Sequence, residues 1–211
     1  MKRKFLLTAL LFLICFIVWT LMVSSVDVQP IGPEKSTVGF ATVNGLFHNL
    51  TGTNMTLYMI TDWLGLVPVA VGFGFAVFGL CQWIRRRHIL KVDRSLWALG
   101  GFYILTLAAY LLFEEIVINY RPVLINGYLE ASYPSSTTLL VLCVMPTAMM
   151  QFHIRIENGI RRRCVQIAIG VFILFMVIGR LLSGVHWITD ILGGILLSAG
   201  LISLYAAVAD V

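Results

Sequence analysis

The chain has 211 residues, of which 59% are hydrophobic and only 12% charged, with a net charge of +5. A soluble domain carries about 25% charged residues, so too little charge is present to clothe a water-facing surface, and a soluble globular enzyme is excluded. Disorder and nucleic-acid binding go with it despite a pI near 9.2, and a mean hydropathy of +0.93 marks a polytopic membrane protein.

Crossing about 30 Å of hydrocarbon takes about 20 mostly apolar residues as a helix. Six stretches qualify, at about 5–23, 63–84, 97–118, 138–153, 164–182 and 185–207. The expected fold is therefore all-α, a bundle of six transmembrane helices forming one integral membrane domain over 1–211. The first stretch follows Met1-Lys2-Arg3-Lys4 and could be taken for a signal peptide. Its apolar run of 19 residues exceeds the usual ~7–15, and no small-x-small cleavage site follows. Cleavage of residues 1–23 would leave the other five spans in place. Between the first two spans, 26–62 is the longest external segment; its 40–50 stretch suits a short amphipathic helix lying along the interface. The fourth span is the shortest and contains Pro146.

Lysine and arginine set the orientation. Numbering the loops alternately from the N-terminus, one side holds Lys2, Arg3, Lys4, Arg85, Arg86, Arg87, Lys91, Arg94, Arg155, Arg161, Arg162 and Arg163, which is 12 of the 15 basic residues. The positive-inside rule makes that side cytoplasmic, with both termini inside. The four cysteines, Cys15, Cys81, Cys143 and Cys164, lie in or beside apolar spans without metal-ligand spacing and read as small core residues.

A few ionisable groups remain: Asp62, Glu114, Glu115, Arg121, Glu130, Arg180, His186 and Asp190. All map to the external ends of spans or the loops between them, and charge at membrane depth is a functional signal by default. Three patterns carry them. In GRLLSGVHWITD, from Gly179 to Asp190, His186 and Asp190 are four apart and would share one helix face, about 6 Å apart along the axis. A carboxylate beside an imidazole fixes its tautomer and leaves the other nitrogen free as a nucleophile or base, although a structural hydrogen bond explains the pair equally well. In EEIVINYRPVL, Arg121-Pro122 follows the third span. In YPSSTT, hydroxyls and free N–H groups open the fourth span, as an anion site or as a plain N-cap. Together they offer two guanidiniums, a helix start and a His-Asp pair, a set suited to a phosphate ester and covalent catalysis through histidine.

These patterns resemble the type-2 phosphatidic acid phosphatase superfamily of integral membrane lipid phosphatases, with its motifs Lys-x6-Arg-Pro, Pro-Ser-Gly-His and Ser-Arg-x5-His-x3-Asp. The third motif is complete from Arg180 through His186 to Asp190, with Gly179 in place of its serine. In the first, Arg121-Pro122 matches and Glu114 stands where the lysine would be. In the second, Pro134-Ser135 matches, while Ser136 and Thr137 replace Gly and His. The resemblance implies a metal-independent, cofactor-free hydrolase of a lipid phosphate or pyrophosphate, multi-pass in the cell membrane with its site facing outside. It implies His186 as the nucleophile forming a phosphohistidine and Asp190 as its orienting partner. Arg121, Arg180, Ser135 and the N–H groups after Pro134 would hold phosphate oxygens, with Ser136, Thr137 and Glu114 beside them.

The departures cut against full activity. The family's second-motif histidine protonates the leaving oxygen, which Thr137 cannot do, and losing a general acid costs roughly 10²–10⁴ in rate. A pyrophosphate substrate needs little such help. Glu114 could serve as a proton donor, contact a cationic head group, or pair with Arg121 two turns along the same helix. A catalytically weakened lipid-phosphate-binding protein on the same fold is the alternative. A transporter would carry its charges near the midplane with repeat symmetry, which this pattern lacks.

Overall fold

The computed structural model describes residues 2–209. Eight α-helices follow one another: α1 (Lys2–Ser25), α2 (Ala41–Thr51), α3 (Met55–Leu64), α4 (Leu66–Arg86), α5 (Arg94–Glu115), α6 (Ser136–Arg155), α7 (Gly159–Leu182) and α8 (Ile188–Ala209). Six stretches are long and apolar enough to cross a membrane, with α3 and α4 together forming one of them, Met55–Arg86. This is a multi-pass, all-helical membrane protein.

Local chemistry sets the boundaries. Asn54 caps α3, its Oδ1 accepting from Leu57 N at 2.9 Å. Pro68 in the first turn of α4 cannot donate to the carbonyl four residues back, and the helix is interrupted for one residue at Gly65, whose own backbone stays right-handed α at φ −59° and ψ −19°. Asn158 caps α7 by accepting from Arg161 N at 3.0 Å. At α8 the Asp190 carboxylate reaches back to Trp187 N–H at 2.9 Å, one half of a capping box. The last span therefore starts at Ile188, and the third stops at Glu115, three residues short of the sequence pattern. The stretch expected as an interfacial helix forms α2, which buries Ala41 and Asn44 and exposes Val43, Leu46 and Leu50.

The helices are not equivalent. Half or more of the spanning windows of α6 (50%) and α8 (56%) are buried, against 11–22% elsewhere. These two form the centre: α1 packs along α8, and α6 touches α8, α7, α5 and α4. Helices in lipid gain nothing from hiding apolar surface, so close approach through small residues drives their packing. Gly200 of α8 shows it: a Cβ there would sit 2.8 Å from the Leu13 side chain of α1. Only Cys143 is buried. Cys15, Cys81 and Cys164 face outward instead of filling the core, because a thiol is apolar enough for a lipid-facing surface.

At the basic end, Asp93 joins Arg86 at 2.9 Å and Arg155 at 3.5 Å. Gln151, fully buried, donates to the Tyr205 hydroxyl at 2.6 Å, and its carbonyl oxygen accepts from Arg155.

Candidate functional site

The other end is assembled by the α5–α6 connection. Asn126-Gly127, with φ of 51° and 84°, makes a tight turn that folds this loop into a narrow ribbon. One arm carries Asn119 and Arg121, the other Glu130 and Ser132. Arg121 N donates to Glu130 O at 3.0 Å, and Ser132 N to Asn119 O at 2.9 Å. The ribbon is seated on α8. Tyr133 lies against Gly193, its hydroxyl bonds Thr20 of α1 at 2.7 Å, and Ser135 N donates to Asp190 O at 3.1 Å. Trp19 of α1 also donates to Thr189 O at 3.1 Å.

His186 sits between ribbon and helix, 2% exposed. It precedes α8, so it does not share a helix face with Asp190. Nδ1 lies 3.8 Å from Asp190 Oδ2, too far for a hydrogen bond. Its neighbours are Ser132, with Oγ at 3.1 Å and O at 3.2 Å from Nδ1, and Arg121, whose Nη1 is 3.2 Å from Nε2. Burial, with Arg121 and Arg180 adding to it, holds the His186 pKa well below its ordinary value. The ring is thus a neutral imidazole. Asp190 is fully buried and accepts from Ser132 Oγ (2.5 Å), Trp187 N (2.9 Å) and Asn119 Nδ2 (3.3 Å).

Arg180 enters from α7 and meets α3. Among the described residues its guanidinium, 1% exposed, hydrogen-bonds only Thr61 Oγ1 and Asp62 Oδ1, both at 3.4 Å. Its Nε is buried without a partner. Gly179 permits this approach, since a Cβ would stand 2.7 Å from Thr61 Cγ2. That gives a packing reason for the glycine where the resembling motif has serine. Tyr58, also on α3, lies under both cations, its ring centre 4.9 Å from Arg180 Cζ and 5.9 Å from Arg121 Cζ. Glu130 Oε2 is 3.0 Å from Arg121 Nε, out of line for a hydrogen bond.

A cavity of about 1190 Å³ opens onto this end. Arg121, Arg180, Glu114, Ser136 and Thr137 stand on its wall, with Tyr58, Asp62 and Glu130. His186 and Asp190 are not among the lining residues; they lie behind Arg121. Ser135 is also apart, fully buried as the α6 N-cap, its Oγ facing Thr138 N at 3.5 Å. Glu114 is exposed on the last turn of α5. It does not pair with Arg121 along a shared helix, because the helix ends at Glu115 and Arg121 lies on the ribbon, where its carboxylate partner is Glu130.

Three contributors were absent from the sequence expectation: Ser132, Asn119 and Tyr58. The Asn-Gly turn is a strong hairpin signal and would have brought 119–121 toward 130–132. Counting outward from it gives the wrong register, however. Ile125 faces Tyr128 but Tyr120 faces Ala131, a slip of two residues across the segment holding Pro122, which has no N–H to donate.

No protein-family model matches the chain, and no curated protein matches it. Among solved structures it is similar to the crystal structure of the first transmembrane PAP2 type phosphatidylglycerolphosphate phosphatase from Bacillus subtilis. The TM-score is 0.54 at 18% identity, covering 95% of this chain and 94% of that one. The chain therefore has the fold of a transmembrane PAP2-type phosphatase, in agreement with the resemblance carried by its three motifs.

Proposed function

We propose that the protein is a divergent type-2 phosphatidic acid phosphatase, one integral membrane domain acting on a lipid phosphate or pyrophosphate at the outer leaflet, with both termini cytoplasmic. The observation that carries this reading is Arg180. A cation that is 1% exposed, whose hydrogen bonds among the described residues are both 3.4 Å long and whose Nε at a cavity wall has none, has donor capacity that an anion would satisfy. Arg121 supplies a second guanidinium 3.2 Å from the imidazole. Below these charges the cavity wall turns apolar through Leu66, Val69, Phe73, Leu107 and Leu140, which suits an acyl or prenyl chain.

On this reading the reaction runs through these groups. Arg121 and Arg180 take the phosphate oxygens, which draws Arg121 away from Nε2. The Nε2 lone pair forms the N–P bond while the P–O bond to the leaving group breaks, its electrons passing to that oxygen. A pyrophosphate releases a phosphate that needs no proton; an alkoxide takes one from water. Water then attacks phosphorus, the N–P electrons return to Nε2, and the water proton goes to solvent. No metal or cofactor enters this route.

A second reading, lipid-phosphate binding without turnover, is favoured by one feature: Thr137 on the cavity wall offers no acid group to a leaving alkoxide. A phosphate-release panel over lipid monophosphates and pyrophosphates separates the two. Turnover predicts an acid-labile phosphoprotein and loss of roughly 10⁴-fold or more in His186→Ala. Binding alone predicts no release and lipid-phosphate binding that survives His186→Ala. In the same panel Thr137→His with Glu114→Lys raises monoester hydrolysis if the site is a weakened phosphatase, and lowers native activity if the substitutions serve another substrate. The acid limb of the pH–rate profile should fall below 6.5, the ordinary histidine value, because the depressed pKa keeps the nucleophile neutral there.

A further inference from the structure

We propose that Ser132 is a positioning residue, its hydroxyl linking the Asp190 carboxylate to the Nδ1–H side of His186 and so orienting the imidazole whose bare Nε2 faces Arg121. This rests on the phosphatase reading for its effect on turnover, but the linkage itself rests on geometry.

The hydrogen-bond directions permit one arrangement. Arg121 Nη1 carries only donors, so the Nε2 facing it at 3.2 Å must be the acceptor and hold no proton. A neutral imidazole then has its proton on Nδ1, where two Ser132 acceptors wait, Oγ at 3.1 Å and the carbonyl at 3.2 Å. The Ser132 hydroxyl has one proton to give. It goes to Asp190 Oδ2 at 2.5 Å, a length typical of O–H donation to a carboxylate, and this leaves the Oγ lone pairs turned to Nδ1–H. The chain runs Arg121 to Nε2, Nδ1–H to Ser132 and Ser132 O–H to Asp190, with no donor facing a donor. Asp190 cannot do this alone, being 3.8 Å from Nδ1 and already accepting from Trp187 N and Asn119. When Nε2 takes up phosphorus the ring becomes cationic, and the Ser132 hydroxyl carries the field of the buried carboxylate to it.

The test uses the full-length protein in detergent micelles, labelled with ¹⁵N-histidine, with His186 assigned by the signal lost in His186→Gln. The wild type should show the Nδ1–H tautomer, the minority form of free histidine. Ser132→Ala keeps Arg121 and the residue-132 carbonyl, so the Nδ1–H tautomer should persist while the His186 ¹⁵Nδ1 resonance shifts with loss of the hydroxyl link. Asp190→Asn should shift it in the same sense, and Ser132→Thr, which keeps the hydroxyl, should restore it. Turnover is read on phosphatidic acid and farnesyl pyrophosphate in mixed micelles. Ser132→Ala should lower kcat by roughly 10–100-fold, the range for partners one step from a reacting group, with KM nearly unchanged. The double variant with Asp190→Asn should be no slower than Asp190→Asn alone. An unchanged His186 Nδ1 resonance in Ser132→Ala, or additive losses in the double variant, overturns the linkage. Hydrolysis of neither lipid by the wild type counts against the phosphatase reading, while the Nδ1 measurement still decides Ser132.

Discussion

The two ends of the bundle each hold arginines against carboxylates, yet they are built to opposite purposes. At the basic end the Arg155 guanidinium reaches Asp93, Ser95 and Gln151, Gln151 goes on to Tyr205, and Gln82 closes on Asp93 at 2.8 Å. Donors there end on protein acceptors, and the large cavity reaches none of these residues. At the other end Arg180 and Arg121 each keep a buried Nε without a hydrogen bond, and both stand on the cavity wall. An arginine–carboxylate pair alone separates nothing; the unspent donor beside open volume does. The first end is a clamp, and the proposed function makes the second a receptor for an anion.

Substitutions at the two ends should therefore fail differently. After His186→Ala, the largest effect belongs to Arg180→Ala, which should lower kcat/KM by roughly 10²–10³, the scale of losing one preorganised charge donor, and weaken binding to lipid-phosphate vesicles. An unchanged kcat/KM would erase the distinction between the ends. Gln151→Leu should lower stability by about 1–3 kcal/mol in a denaturation series, as buried partners lose their bonds, while leaving kcat/KM within about twofold. Gly179→Ser tests how α3 is held: with its Cβ 2.7 Å from Thr61 Cγ2, it should cost about 1–3 kcal/mol through overpacking. Smallest is Glu130→Gln, which removes a partly exposed partner of Arg121 and should lower KM for a lipid phosphate by about two- to fivefold, the worth of an exposed ion pair.

The spans were legible because bilayer thickness demands a length of apolar chain that composition reveals directly. The convergence of Arg121, Arg180, His186 and Asp190 was legible because charge at membrane depth is rare. What the pattern hid was how they touch. His186 and Asp190 looked like neighbours on one helix, but the capping of Trp187 N–H by Asp190 starts the helix after His186 and opens room for Ser132. Ser135 looked equally able to hold phosphate or cap a helix, and its burial left the cap. Tyr58 carried no signal of its own: one tyrosine in an apolar run means nothing until α3, beyond the one-residue break at Gly65, packs on α7 and brings its ring to the arginines.

That break also works as a ruler. The Met55–Arg86 stretch has 32 residues, about 48 Å of helix at 1.5 Å per residue, where hydrocarbon asks for about 30 Å. The 21 residues of α4 meet that requirement by themselves, so a bilayer matched to α4 leaves α3 in the layer of lipid head groups. Tyr58, Thr61 and Asp62 ride on α3, and Arg180 comes up to meet them. A phosphate would then be gripped at the depth it already occupies in the leaflet, with no lipid drawn out into water and no head group pulled down into oil.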